Sequence, residues 1–139
     1  MAALSNHKIV GGASATEDFF TNEEKWISID YNFTNDTGAQ ADYDVFTAGV
    51  DMIVRDFYAT CSVSLTGATA NLDLGVGAGA AELWSDVDGP AIVSTTAGYF
   101  ADAAFLPLLL EAAGKIVLGV ETANLTAGVF TMHFLVKKI

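Results

Sequence analysis

Apolar and polar positions alternate most regularly near the C-terminus. From residue 128 onward Phe130, Met132, Phe134 and Val136 share one parity, while Thr131, His133 and Lys137 take the other. In residues 115–121 Ile116, Leu118 and Val120 alternate with Lys115, Gly119 and Glu121. A period of two marks a strand, because successive side chains point to opposite faces. The two runs predict a β-hairpin joined across residues 122–128. Its apolar row needs a second layer to cover it.

The same reading extends upstream. Ile27, Ile29, Tyr31 and Phe33 alternate with Ser28, Asp30 and Asn32, which predicts a half-exposed strand over residues 26–33. Residues 34–38 carry turn chemistry, with Asn35 and Asp36 bonding their own backbone and Gly38 supplying positive φ. In residues 43–65, Val50, Met52 and Val54 share a parity but Phe57, Ala59, Cys61, Val63 and Leu65 take the opposite one. A parity change inside a strand predicts a bulge or bend near Arg55 and Asp56. Residues 66–69 turn the chain, and residues 70–76 return it with Leu72, Leu74 and Val76 inward, as a second antiparallel pair. A helical turn is expected within residues 77–84, a sharp turn at Asp88, Gly89 and Pro90, and a short strand at residues 91–94. Residues 103–113 are expected to cross irregularly, since Pro107 interrupts good helix formers. The first 25 residues read as an extended arm, with a short strand around Lys8, Ile9 and Val10 and ordering on a neighbour. The expected organisation is an arm over 1–25 and a single domain over 26–139, an all-β antiparallel β-sandwich of about eight short strands.

Composition sharpens this picture. Of 139 residues 52% are hydrophobic and only 17% charged, more apolar and less charged than a single core requires. The excess points to apolar surface buried against a partner. The longest apolar run, residues 103–110, is too short to span a bilayer and contains Pro107. The first eight residues lack the basic start and apolar core of a secretory signal, so a chain made in the cytosol is expected. Seventeen acids against six bases give a formal net charge of −11, a field that repels phosphate backbones and anionic headgroups; neither nucleic acid nor membrane is an expected partner. The acid is uneven: Glu17, Asp18, Glu23, Glu24, Asp30, Asp36, Asp42 and Asp44 crowd the first third, whereas Asp73 is the one charge between Phe57 and Ala81. Interface cores shed charge, so that neutral middle is where subunit contacts are expected.

Candidate chemistry is sparse. Cys61 is the one cysteine and lies in an apolar run, where a buried, inert thiol is expected. Residues 75–80 match a Gly-x-Gly-x-x-Ala phosphate loop, but no helix, parallel strand and distant acid follow. His7 and His133 are the two histidines, and His133 falls opposite the apolar row, as a surface or interface residue. Asp30 with Asn32, Asn35 and Asp36, and Asp86 with Asp88, offer oxygens to calcium without the spacing of a known loop. Three Asn-x-Thr triplets begin at Asn32, Asn35 and Asn124 and read as turns. No nucleophile–base pair or selected pair of carboxylates stands out, so neither an enzyme nor a cofactor is expected. Trp26 and Trp84 could stack on sugars, which keeps a glycan-binding module as the rival class.

The strand of residues 114–121, the phrase at residues 124–128, the closing strand to Lys137 and the small-residue run over 63–76 resemble small head proteins of tailed bacteriophages and related viruses. The resemblance covers residues 50–137 and rests on strand style. It implies a jelly-roll-like sandwich that assembles as a homotrimer and decorates or cements a capsid, or forms a head fibre. The expected partners are then its own copies and the major capsid protein, and the expected place the virion exterior. The interface expected on the neutral middle and the C-terminal strand comprises Phe57, Cys61, Val63, Leu65, Leu72, Leu74, Phe130, Met132 and Phe134.

Overall fold

Strands form where the alternation predicts them, but they join differently. The computed structural model describes residues 2–3, 6–9, 24–101 and 105–139, the first two stretches by backbone alone. In chain order the strands are β1 (Ala2–Ala3), β2 (Asn6–Ile9), β3 (Glu24–Asn32), β4 (Asp42–Thr47), β5 (Met52–Thr66), β6 (Asn71–Val76), β7 (Trp84–Asp88), β8 (Tyr99–Phe100), β9 (Leu108–Leu110), β10 (Lys115–Glu121) and β11 (Ala127–Lys138). A single helical turn, α1 (Phe33–Asp36), follows β3, and a 3-10 turn, Gly89–Ala91, follows β7. Two sheets pack face to face as an all-β sandwich. Sheet A has the order β1-β4-β10-β6-β7, and sheet B the order β2-β3-β11-β5-β8, with β9 also on β5. Pairing is antiparallel except for β1 on β4.

Neither predicted hairpin forms. β10 belongs to sheet A and β11 to sheet B, and β5 and β6 divide the same way, so the connections at residues 122–126 and 67–70 are arches between sheets. The physical reason lies in the connections. A hairpin turn faces solvent, but Leu125 and Ala70 are buried, because an arch passes over the end of the core and must cover it. The residues 33–41 between β3 and β4 make a third arch. Leu125 N–H donates to Gly38 O at 2.8 Å, Thr126 N–H to Thr66 O at 2.8 Å, and Gly89 N–H to Ala70 O at 2.8 Å, so the arches stack side by side and satisfy one another's backbone.

The bend expected in β5 is present. Leu135 faces Asp56 and Val136 faces Val54, which leaves Arg55 as the extra residue of a bulge. The parity switch then keeps Met52 and Val54 on the core side before it and Phe57 and Ala59 after it. Other expectations are corrected. Residues 77–83 form no helix; they turn β6 back into β7, with Gly77 N–H donating to Lys115 O at 3.0 Å. Residues 91–94 are not a strand: Ala91 ends the 3-10 turn that begins at Gly89, and the chain turns again at residues 94–95. In the 34–38 turn the positive φ falls on Thr37, at 59°. Gly38 is needed for space instead, because a Cβ there would lie 1.9 Å from Leu125 O. Of the arm, β1 and β2 are edge strands on the chain's own sheets, and residues 10–23 lie outside the described residues.

Aromatic rings fill the space between the sheets. Phe134 packs against Phe57 and Phe46 at centroid distances of 4.9 and 5.2 Å, and Trp84 meets Phe57 edge-on at 5.4 Å. Tyr31 is buried yet satisfied, its hydroxyl donating to Thr37 O at 2.7 Å, and burial pushes that phenol's pKa up. Gly38→Ala is expected to cost about 3 kcal/mol, because the methyl meets backbone that the neighbouring arch holds in place. Gly79→Ala, where no atom lies within 4 Å but φ is +76°, should cost about 1 kcal/mol. Urea denaturation of both variants checks the order; equal losses would mean that the arches do not press on each other.

Candidate functional site

The structure places most of the expected interface residues inside the molecule. Phe57, Leu65, Leu72, Leu74, Phe130, Met132 and Phe134 all belong to the core of the chain's own sandwich. They are the inward parity of β5, β6 and β11, and the opposite sheet already covers them, which corrects the expectation that a second subunit does so. Val63 is the exception at 49% exposed, and Cys61 is half-buried. Burial raises the Cys61 thiol's pKa, and Sγ approaches Val63 O at 3.1 Å. The glycines of residues 75–80 serve the turn. A Cβ on Gly75 would come within 2.2 Å of Glu82 Oε2, and Gly77 and Gly79 take positive φ before an antiparallel strand.

Three surfaces remain. On the outer face of sheet A, carboxylates from three adjacent strands converge: Glu121 on β10, Asp73 on β6 and Asp86 on β7 have oxygens within 4.8 Å of one another. A bulge makes this possible. Leu72 faces Val87 but Leu74 faces Trp84, so Asp73 opposes both Ser85 and Asp86. Asp86 has φ of 48°, and its N–H donates to Asp73 Oδ1 at 2.7 Å. The hydrogen bond with Asp73 and the charges of Asp73, Asp86 and Asp42 hold the Glu121 carboxyl above its usual pKa. Asp44, on the same face, pairs with Lys115 at 3.0 Å. Asp73, Asp86 and Glu121 are the residues here with the donor chemistry for a hard divalent cation such as calcium. They were not singled out together from the sequence, because only the true strand order makes them neighbours.

The outer face of sheet B is aromatic and hydroxylic. His133 stacks on Tyr58 at 4.4 Å with its ring nearly parallel, and Tyr58 meets Trp26 edge-on at 5.4 Å. Ser28 Oγ lies 2.8 Å from His133 Nδ1 and Thr60 Oγ1 lies 3.2 Å from Nε2, so hydroxyls from β3 and β5 bracket the imidazole on the central strand. Desolvation lowers the His133 pKa, against a smaller opposing pull from Asp30, which itself accepts from Thr131 Oγ1 at 2.6 Å. Trp84, by contrast, is buried against Phe57 and Phe130 and has no face to offer a ligand. Beyond the aromatic face, the flank formed by β8, β9 and the end of β5 exposes Val63, Phe100, Phe105 and Leu109.

Comparison of the chain with family models, with curated proteins and with solved structures finds no match.

The two perturbed groups act in opposite directions on stability. Glu121 has a raised folded pKa, so its contribution is fully present below the unfolded value of about 4.5 and lost as pH rises through the folded one. His133 has a lowered folded pKa, so its contribution is present above the unfolded value of about 6.5 and lost as pH falls through the folded one. Glu121→Gln should therefore raise Tm at pH 7 by an amount that shrinks towards pH 4. His133→Gln should flatten the fall in Tm between pH 7 and pH 5. Thermal melts across that range check both; parallel shifts at every pH would refute the assignment.

Proposed function

We propose that this chain is a structural protein of a virus particle, a subunit that decorates or cements the capsid exterior as a homotrimer. The observation that carries the reading is the division of its surface: an acidic outer face on sheet A, and on sheet B a flank where large apolar side chains stand exposed. Exposed apolar groups of this kind mark protein contacts, and a subunit whose work is adhesion needs no catalytic centre. The strand order supports a jelly-roll reading of the sandwich. Each of β4, β10, β6 and β7 in sheet A has a sequence neighbour, β3, β11, β5 and β8, at the corresponding position of sheet B. Synthesis in a host cytoplasm and docking on a major capsid protein follow from the same reading. β1 and β2, on the sheet edges, and the segment between β2 and β3 are the parts assigned to grip the shell.

Particles purified from the source of this sequence provide the test. Mass spectrometry should find the chain in the particle fraction at a fixed ratio to the major shell protein, and a variant lacking residues 1–23 should fold but leave that fraction. Absence of the full chain from particles would end the reading.

A glycan-binding module is the second reading, favoured by Trp26 and Tyr58 on the open face of sheet B beside Ser28, Thr60 and His133. Trp26 replaces Trp84 in that role, since Trp84 is in the core. A glycan array run with calcium and with chelator separates the two readings: binding that Trp26→Ala abolishes favours the module.

A further inference from the structure

We infer that residues 2–9 of one copy dock on the β3 and β4 edges of the next, so that each subunit completes both sheets of a neighbour. The inference rests on the assembly proposed above and deepens it, by naming what the gripping segment grips.

The docking surface is a pair of strand edges. β3, nine residues long, bonds to β11 along one side, and β4, six residues long, bonds to β10 along one side. Their other sides face outward together at one side of the sandwich, and among the described residues β1 and β2 alone cover them. Uncovered, they would present two rows of unpaired N–H and C=O groups to any extended chain. The structure shows what such a surface accepts. Ala2 and Ala3 lie parallel to β4, opposite Tyr43 and Asp44, and residues 6–9 lie antiparallel to β3, opposite residues 27–30. Every strand pairing of the segment is with β3 or β4, and those backbone bonds are the same whichever copy supplies it.

Chain length points to a second copy as the supplier. Antiparallel neighbours within one chain need a connection of about 2–5 residues. Residues 10–23, between β2 and β3, number fourteen. Loop closure makes each added residue count against pairing within the chain, whereas reach between subunits grows with it. Fourteen residues extend to about 50 Å, beyond the roughly 37 Å breadth of a compact chain of 139 residues. Exchange of an identical element between subunits replaces each pairing by its equal, and giving one arm while accepting another closes a ring such as a trimer.

Charge agrees. The chain carries −11, so copies repel where their acidic surfaces meet. Residues 1–16 contain no Asp or Glu and one lysine, Lys8. β3 and β4 carry Glu24, Asp30, Asp42 and Asp44 against Lys25. With Arg55 and Lys115, which pair with Glu24 and Asp44, the edge has four acids against three bases and stays acidic. The segment is thus a part of the chain that approaches this edge of another copy without adding like charge.

Cysteine cross-linking separates exchange from pairing within one chain. Asn6 lies opposite Asp30, and Cα atoms so opposed in antiparallel strands are about 4.5–5.5 Å apart, within disulfide reach. One full-length chain carries Asn6→Cys and another Asp30→Cys, each with Cys61→Ser, and the two are co-expressed. Under oxidation a covalent dimer with one chain of each kind should form, at least ten-fold above any dimer from either chain alone. The double variant Asn6→Cys/Asp30→Cys should give covalent oligomers on a non-reducing gel. Circular dichroism melts confirm folding, and Lys8→Cys with Ser28→Cys provides a second opposed pair. Cross-links confined to single chains overturn the inference, and so does failure of both pairs to cross-link between chains. The virion reading fails separately: a mixed dimer from a chain absent from particles leaves the exchange standing, whereas particle-bound chains that cross-link only internally do the reverse.

Discussion

Leu125 sits where the connections of the sandwich meet. Its side chain is buried at the end of the core, its N–H donates to Gly38 O, and a Cβ on Gly89 would come within 3.2 Å of its Cδ2. Around it backbone hydrogen bonds tie the connections together: besides Leu125 N–H to Gly38 O, Thr126 N–H donates to Thr66 O at the end of β5, and Gly89 N–H of the 3-10 turn to Ala70 O. Two facing sheets leave their ends open to water unless something closes them. Here the connections do so, and that closure fixes which strand lies above which and therefore which side chains share a face.

The surface follows from that order. With β10 between β4 and β6, and β7 beyond, the outward positions of four strands bring Asp42, Glu121, Asp73 and Asp86 to one face. With β11 between β3 and β5, His133 lies between two hydroxyls and against Tyr58.

The sequence revealed the strands but not their partners. Alternation located the bodies of β3, β10 and β11, and the parity switch in β5 located the bulge at Arg55, because burial on one face is a local requirement that each residue meets or fails by itself. Pairing is not local. A turn of Thr, Gly, Ala and Asn suits a hairpin and an arch alike, and only the apolar residue inside each connection, Ala70 and Leu125, separates the two. The interface was expected where charge is absent, but a row that faces the opposite sheet sheds charge for the same reason as a subunit contact, and Phe57, Leu72, Phe130 and their companions lie in the core. The acid cluster was hidden by pairing, since Asp73, Asp86 and Glu121 are far apart in sequence and meet only through sheet order.

The place of β11 bears on how the chain acquires this structure. β3 and β5 never pair with each other; both bond to β11, which is made after them. Until those twelve residues have left the ribosome, sheet B is two separate ribbons whose apolar sides face an incomplete partner. Loop closure over such separations is paid before any contact rewards it, so folding is expected to be slow and late rather than to proceed strand by strand during synthesis. The nascent chain is then most exposed to aggregation or chaperone capture just before its central strand arrives.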